Sequence, residues 1–271
     1  MDIIFSVISG IVQGLTEFLP ISSSGHLVLL HDFFGFNLSD DIAFDVMLHV
    51  ATMCSLLLFF WQDVLKLIKS FFQSIVARDS TDPYQRLSWY LVIGTIPAVI
   101  VGFFFEQQIE DLFRSITMVA IMLTVFGVLL YVADVYSAKL RSLNDVKLQD
   151  GIIVGLAQAV ALIPGVSRSG ITIIAGLSQK LKRADAARFS FLLSMPVVFG
   201  AGSKKIVDLV SAGGVPSGEG VMISLGFISA LITGYFCIKY FLLFLQNHSL
   251  RVFAYYRIAL GLGILFFLYV L

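Results

Sequence analysis

The sequence predicts an all-α polytopic membrane protein with six transmembrane helices and two re-entrant helical hairpins in an inverted-topology repeat. Three observations indicate this fold class. Hydrophobic residues make up 58% of the 271-residue chain and charged residues only 13%, whereas soluble domains carry about 25% charged residues. Six apolar runs are long enough to cross a bilayer, and two further apolar segments are broken near their middles. We expect a single membrane domain over residues 1–271.

Length identifies the six spans, because a helix needs about 20 apolar residues to cross roughly 30 Å of hydrocarbon. The fourth run is short, and we expect it to continue toward Val210. The predicted spans are Ile42 to Trp61, Leu87 to Phe105, Ile116 to Tyr136, Ala186 to Gly200, Val221 to Leu245 and Val252 to Leu271.

Two other apolar segments, 3–34 and 151–181, are interrupted by polar turns. The first contains Pro20 and the run 22–24 of three serines, and the second contains the turn 164–170. A spanning helix broken at its middle leaves backbone groups unpaired in lipid, unless protein or a water-filled cavity surrounds the break. We therefore predict two re-entrant hairpins whose tips meet protein.

The two hairpins head an internal repeat. One hairpin and three spans form repeat 1 over residues 1–140, and the same set forms repeat 2 over residues 141–271. An odd number of spans per unit inverts the second copy relative to the first, which brings both hairpin tips toward the bilayer midplane. A shift of 145 positions superposes Gly10 on Gly155, Gln13 on Gln158, Ser22 on Ser167, Ser24 on Ser169 and Gly25 on Gly170.

The distribution of charge predicts the orientation. Lysine and arginine are concentrated in segments 62–86, 137–147 and 180–188, whereas segment 106–114 is acidic on balance. Cytoplasmic loops of membrane proteins carry the excess of Lys and Arg. The first hairpin is therefore expected to enter from outside and the second from the cytoplasm.

Two classes of function are disfavoured by composition. The formal net charge is +0 and no block of Lys or Arg occurs, so the electrostatic footprint of a nucleic-acid partner is missing from the sequence. The two cysteines, Cys54 and Cys237, lie far apart within apolar runs and have no metal-ligand spacing, so a metal site with cysteine ligands is disfavoured as well.

The hairpins divide chemically different groups between them. The first supplies Glu17, His26 and the serines of 22–24, and the second supplies Arg168 among serines and glycines. A guanidinium forms paired charge-assisted bonds with phosphate, and Gly/Ser-rich turns that open a helix present backbone donors to anions. This set suits a phosphate or diphosphate, with a serine attacking phosphorus once His26 or Glu17 takes its proton.

A transporter is the main alternative, because inverted repeats with broken helices are typical of transporters and a midplane Glu–Arg set also suits a carried anion. A flippase for an anionic lipid phosphate would use the same site without cleavage. A histidine beside a serine cluster, with both tips around one phosphate-sized position, favours catalysis instead.

Two motifs resemble those of the bacitracin-resistance type undecaprenyl-diphosphate phosphatases. The first has Gln13 and Glu17 in a (Glu/Gln)-x-x-x-Glu stretch that leads into Ser-Ser-Ser-Gly-His at 22–26, and the second is Pro-Gly-Val-Ser-Arg-Ser-Gly-Ile-Thr at 164–172. The resemblance covers essentially the whole chain. It implies hydrolysis of the C55 isoprenyl diphosphate to the monophosphate and phosphate, on the outer side of the bacterial cytoplasmic membrane. The product is the carrier lipid of peptidoglycan synthesis, and bacitracin resistance follows because that antibiotic captures the diphosphate.

The resemblance also implies roles for individual residues. Glu17 and His26 would handle protons or a metal, and Ser23 is the favoured nucleophile. The phosphate would be held by the hydroxyls and the guanidinium of the two turns, namely Ser22, Ser24, Ser167, Arg168, Ser169 and Thr172.

One departure concerns the metal. Relatives with two acids in the first motif have two carboxylates to share a cation, whereas Gln13 offers only a neutral carbonyl beside Glu17. We still expect a divalent cation, Mg²⁺ or Ca²⁺, bound by one carboxylate together with substrate phosphates. The predicted partners are the polyprenyl diphosphate and membrane lipids, and the sequence leaves open whether the active form is a homodimer.

Three more polar residues lie in the apolar runs. Asp45 and His49 are one helical turn apart, so they either line the same cavity or satisfy each other near the interface. Arg257 follows two tyrosines, and we expect it to extend to the membrane interface beside them.

Overall fold

The structure is a computed structural model that describes residues 2–34, 41–77, 82–113, 115–211 and 220–270. A short 3-10 helix, Leu143–Asp145, lies between the fifth and sixth α-helices. The α-helices formed by the described residues are, in chain order, α1 (Asp2–Thr16), α2 (Ser23–Phe34), α3 (Asp41–Ala77), α4 (Pro83–Phe113), α5 (Ile116–Tyr136), α6 (Leu148–Val160), α7 (Arg168–Ser178), α8 (Arg183–Ser211), α9 (Gly220–Asn247) and α10 (Arg251–Val270).

Six of these helices, α3, α4, α5, α8, α9 and α10, are long and apolar enough to cross a membrane. The predicted all-α membrane fold with six spans is thereby confirmed, and the third span has the predicted limits. Helix α3 is kinked at Phe60, where the backbone is non-helical (φ −100°, ψ 16°), next to the predicted end of the span at Trp61. Helical structure resumes after the kink and continues to Ala77, because the polar segment there alternates apolar and charged residues with helical spacing. Residue 271, the predicted end of the last span, lies outside the described residues.

The two interrupted segments form pairs of short helices, α1 with α2 and α6 with α7. Their lengths are 15, 12, 13 and 11 residues. At about 1.5 Å per residue, even the longest rises only about 22 Å, which is less than the hydrocarbon thickness of roughly 30 Å. Each pair is a helix–turn–helix hairpin, and its re-entrant placement stays a prediction.

The turns of the two hairpins have the same local geometry. Ser22 and Ser167 adopt positive φ angles of 75° and 73°, which is uncommon for residues other than glycine. Each serine hydroxyl accepts a hydrogen bond from the backbone N–H three residues later, from Gly25 at 3.4 Å and from Gly170 at 3.2 Å. These positions are related by the shift of 145 residues, so the two turns share one local geometry. The two repeat units and their inverted orientation stay predictions.

Helix packing follows a related pattern. Helix α1 packs against α9, α6 packs against α4, and α5 packs against α10. Glycines allow two of these contacts to be close, since a Cβ atom at Gly10 would collide with the carbonyl oxygen of Gly226 and one at Gly155 with that of Gly94. Small residues at such contacts let membrane helices approach closely. The first helix of each hairpin is thereby held against a spanning helix of the other half.

The largest cluster of buried hydrophobic residues packs against the turn between α1 and α2. Phe18 is 1% exposed and packs edge-on against Phe191 of α8, with ring centroids 5.7 Å apart. Ile173 and Leu177 of α7 are fully buried in the same cluster. Both hairpins are thus anchored on one apolar core, with Glu17 next to the anchor residue Phe18.

We predict that Gly10→Ala and Gly155→Ala each lower the free energy of unfolding by about 1–3 kcal/mol, because the added methyl group meets backbone that cannot move aside. Thermal unfolding of purified protein in detergent measures the effect. The matched control is Gly263→Ala, since a Cβ atom there meets nothing within 4 Å. Equal stability of the two buried variants and this control would contradict the close-contact interpretation.

Candidate active site

An ion pair between the two hairpins forms the centre of the site. Arg168 Nη2 donates a hydrogen bond to Glu17 Oε1 at 2.6 Å, across 151 residues of sequence. Glu17 follows the end of α1, and Arg168 is the first residue of α7. The two side chains are only 12% and 16% exposed. Charges so withdrawn from water are costly unless they are paired and hydrogen-bonded, so this contact fixes one tip against the other.

The second carboxylate oxygen of Glu17 accepts two further hydrogen bonds. Ser23 Oγ donates to Glu17 Oε2 at 2.7 Å, and Gln13 Nε2 donates to the same oxygen at 3.1 Å. Glu17 therefore accepts three side-chain donors. Ser23 is the serine of the first turn whose hydroxyl is directed at the carboxylate, which distinguishes it from Ser22 and Ser24, whose hydroxyls are 3.3 Å from each other.

A cavity of about 150 Å³ opens beside the ion pair. It brings together most of the predicted site residues, including serines from both hairpins. The residues that line it are Thr16, Glu17, Ser22, Ser23, Ser24, His49, Ala161, Ser167 and Arg168.

Two predicted phosphate-binding residues lie behind the cavity. Ser169 donates to the carbonyl oxygen of Leu19 at 3.0 Å and is 1% exposed. Thr172 donates to the carbonyl oxygen of Arg168 at 2.7 Å, its hydroxyl is 2.6 Å from that of Ser190, and it is fully buried. The Ser169 hydroxyl thus links the two hairpins, whereas the Thr172 hydroxyl bonds within α7 and contacts Ser190 of α8.

His26 is directed away from the carboxylate. Its Nδ1 lies 2.7 Å from the carbonyl oxygen of Ser22, and its Nε2 lies 2.7 Å from the hydroxyl of Tyr256. The two rings are stacked, with centroids 5.6 Å apart. Because a carbonyl oxygen only accepts, Nδ1 carries a proton, and the neutral ring accepts from Tyr256 at Nε2. His26 therefore contacts the site through the backbone of the first turn.

His49 reaches the site from α3. Its Nδ1 is 3.0 Å from Gln13 Nε2 and 3.7 Å from Glu17 Oε2. Of the two residues whose placement the sequence left open, His49 lines the cavity, whereas Asp45 is not among the described residues that line it.

Arg257 corrects a prediction from sequence. It was expected at the membrane interface, but it is fully buried. Its guanidinium donates to the carbonyl oxygens of Pro20 at 3.2 Å, Gly165 at 2.9 Å, Val166 at 2.9 Å and Leu123 at 3.3 Å. Three of these carbonyl groups, those of Pro20, Gly165 and Val166, lie in the hairpin turns without helical partners, and Arg257 satisfies them, whereas Leu123 lies within α5. The signal that could have identified it was an arginine inside an apolar run, where a charge has a function by default.

The electrostatic balance of the site favours an anion. Arg168 pairs with the single carboxylate of Glu17, and Arg257 adds a second positive charge on the backbone of both hairpin turns. Arg168 Nη1 is buried, and among the described residues it has no hydrogen-bond partner. Buried donors of this kind are rare without a reason, and an oxyanion would satisfy this one.

We predict that Arg257→Met, which keeps much of the apolar volume, destabilises the turns of both hairpins. The carbonyl oxygens of Pro20, Gly165 and Val166 would stay buried without hydrogen-bond donors. Hydrogen–deuterium exchange should rise in segments 20–26 and 163–171 together, with a loss of stability of about 3–5 kcal/mol. Arg251→Met is the matched control, because Arg251 begins the same helix and is exposed. Increased exchange in only one of the two turns would contradict this role.

Comparisons with known proteins agree with this geometry. Residues 6–263 match the family model described as bacitracin resistance protein BacA. The undecaprenyl-diphosphatase of Teredinibacter turnerae is 46% identical, over 96% of this chain and 97% of that protein. Those of Geotalea daltonii and Thermomicrobium roseum are 44% and 42% identical, and the alignments cover 96% and 98% of both chains respectively. The matched residues contain both hairpin turns and five of the six spans in full and extend into the last, α10, and the chain belongs to the bacitracin resistance protein BacA family.

Proposed function

We propose that this chain is a membrane phosphatase that hydrolyses undecaprenyl diphosphate to undecaprenyl phosphate and phosphate, and so recycles the carrier lipid of peptidoglycan synthesis. The observation that carries the proposal is the contact of Glu17 with both Ser23 and Arg168, at 2.7 and 2.6 Å. This contact supports the roles of nucleophile for Ser23, proton acceptor for Glu17 and phosphate-binding cation for Arg168, all three of which line one small cavity. The names of the relatives support the same substrate.

Phosphate binding is assigned to Arg168 and to the starts of two helices. Arg168 lines the cavity, and its Nη1 nitrogen has no hydrogen-bond partner among the described residues. Helices α2 and α7 both begin at the cavity, at Ser23 and Arg168, and helix N-termini stabilise anions through their free N–H groups and dipoles. Ser22, Ser24 and Ser167 line the same space and add hydroxyl donors.

Ser23 is assigned as the nucleophile and Glu17 as its base. Ser23 Oγ attacks the terminal phosphorus and transfers its proton to Glu17, while the bond from phosphorus to the bridging oxygen breaks and undecaprenyl phosphate leaves. Water then hydrolyses the seryl phosphate, giving phosphate and restoring Ser23. Glu17, rather than His26, is in hydrogen-bond contact with the attacking hydroxyl. All of these groups come from one chain, so the site itself does not require a homodimer.

A divalent cation fits this site only in part. Among the described residues, no group of three or more His, Cys, Asp and Glu side chains is close enough to hold a metal ion. Glu17 offers one carboxylate, and Mg²⁺ or Ca²⁺ commonly combines such a ligand with substrate phosphates. When bound, the ion would neutralise diphosphate charge. We therefore propose that the cation binds together with the substrate. We also propose that the site opens to the outer side of the membrane.

The proposed function is tested by phosphate release from undecaprenyl diphosphate with purified protein in detergent. Wild type should release phosphate, EDTA should abolish release, and added Mg²⁺ or Ca²⁺ should restore it. Arg168→Ala should reduce kcat/KM by at least about 100-fold, because it removes a charge-assisted contact to the transferred group. Absence of release from well-folded wild type would instead favour transport or flipping of an anionic lipid phosphate.

We predict that Ser23→Ala abolishes turnover, with a loss of more than about 1,000-fold, as for other enzymes that lose a nucleophile. Ser24→Ala should lose far less, because the Ser24 hydroxyl contacts Ser22 and not the base. Ser224→Ala on the exposed surface of α9 controls for effects of expression and folding. A larger loss in Ser24→Ala than in Ser23→Ala would reassign the nucleophile.

A further inference from the structure

His49 is the residue of the cavity that belongs to neither hairpin. It lies on α3, and its side chain is 37% exposed where it lines the cavity. Gln13, which contacts it, is fully buried on α1. The cavity therefore receives an imidazole that is held from one side by a fixed amide.

The orientation of the Gln13 amide follows from its contact with Glu17. An ionised carboxylate only accepts hydrogen bonds, so the amide atom 3.1 Å from Glu17 Oε2 is the NH₂ nitrogen. The same nitrogen is 3.0 Å from His49 Nδ1. An NH₂ group carries two hydrogens, so one is donated to Glu17 and the other to His49.

The hydrogen bond donated by the Gln13 amide specifies the tautomer of His49. A ring nitrogen that accepts a hydrogen bond carries no proton, so Nδ1 is bare and the neutral ring has its proton on Nε2. The other orientation of the amide would place the Gln13 oxygen against the Glu17 carboxylate. His49 therefore presents an N–H donor from the ring edge opposite Gln13.

We propose that His49 is a catalytic residue that donates its Nε2–H to a phosphate oxygen of the substrate, and that Gln13 is the positioning residue that fixes this tautomer. The inference rests on the proposed phosphatase function. It adds an imidazole N–H to the phosphate-binding groups, beside the guanidinium of Arg168 and the serine hydroxyls. A neutral donor stabilises charge on the phosphate without giving up its proton, which leaves proton transfer to Glu17.

The role assigned to Gln13 differs from that of a metal ligand. Its nitrogen faces Glu17 and His49, and its oxygen is buried, with no hydrogen-bond partner among the described residues. An amide at this position donates to both neighbours at once, whereas a carboxylate can donate to neither. Replacing Gln13 by glutamate would therefore require a proton on His49 Nδ1.

Kinetics test the contact with phosphate. His49→Gln keeps an N–H donor at nearly the same reach and should retain kcat/KM within about tenfold, whereas His49→Leu should lose about 100-fold or more. His248→Leu, on the exposed turn after α9, is the control for loss of a histidine. Equal activity of His49→Leu and wild type would overturn the inference while leaving the proposed function intact.

Nitrogen NMR of protein labelled at the histidine rings tests the tautomer independently. The chain has 4 histidines, so the spectrum of His49→Gln assigns the His49 signals by difference. We expect a protonated Nε2 and an unprotonated Nδ1 in wild type, and a proton on Nδ1 in Gln13→Glu together with lower kcat. A wild-type proton on Nδ1 would overturn the inference. Absence of phosphate release by wild type would overturn the proposed function, and with it the role of His49 whatever its tautomer.

Discussion

The ion pair between Glu17 and Arg168 is the constraint on which the rest of the structure depends. A carboxylate and a guanidinium withdrawn from water lose several kcal/mol of hydration each, and their attraction offsets that loss only when the remaining polar positions are also satisfied. Glu17 meets this condition with three donors, from Arg168, Ser23 and Gln13. The residues that surround the pair are thus needed to keep it, and of its three donors Arg168 and Ser23 also line the cavity.

Arg257 meets the complementary requirement of the backbone. Breaking a helix inside an apolar environment leaves carbonyl groups without partners, and two breaks at one place double this cost. Arg257 donates to carbonyl oxygens of both turns and of α5 with a single side chain. The hairpins are therefore joined at two levels, by the ion pair between side chains and by one buried arginine between backbones.

The sequence was sufficient to predict the helical membrane fold and the residues of the central contact, for a physical reason. Charged and polar groups inside apolar segments are costly, so Glu17, Arg168 and the serine turns were recognisable without any neighbour being known. The directions of His26 and Arg257 were not predictable in this way. His26 is oriented by Tyr256, 230 residues later. Arg257 is buried because it binds carbonyl groups that come together, without helical partners, only once both turns have formed. The placement of His49 likewise depends on Gln13, which α1 brings to it.

The size of the cavity has a consequence for how such an enzyme would recognise a long lipid. Pockets that enclose a whole small molecule usually measure about 300–1,000 Å³, whereas this cavity measures about 150 Å³. It has room for the charged end of a prenyl diphosphate and none for the hydrocarbon, which must stay among lipids or against the outer surfaces of the helices. The preference for a given prenyl chain length would then depend on how strongly the lipid partitions into the bilayer. Water-soluble short-chain diphosphates would fit the cavity as well as the natural substrate, but their concentration at the membrane would be lower.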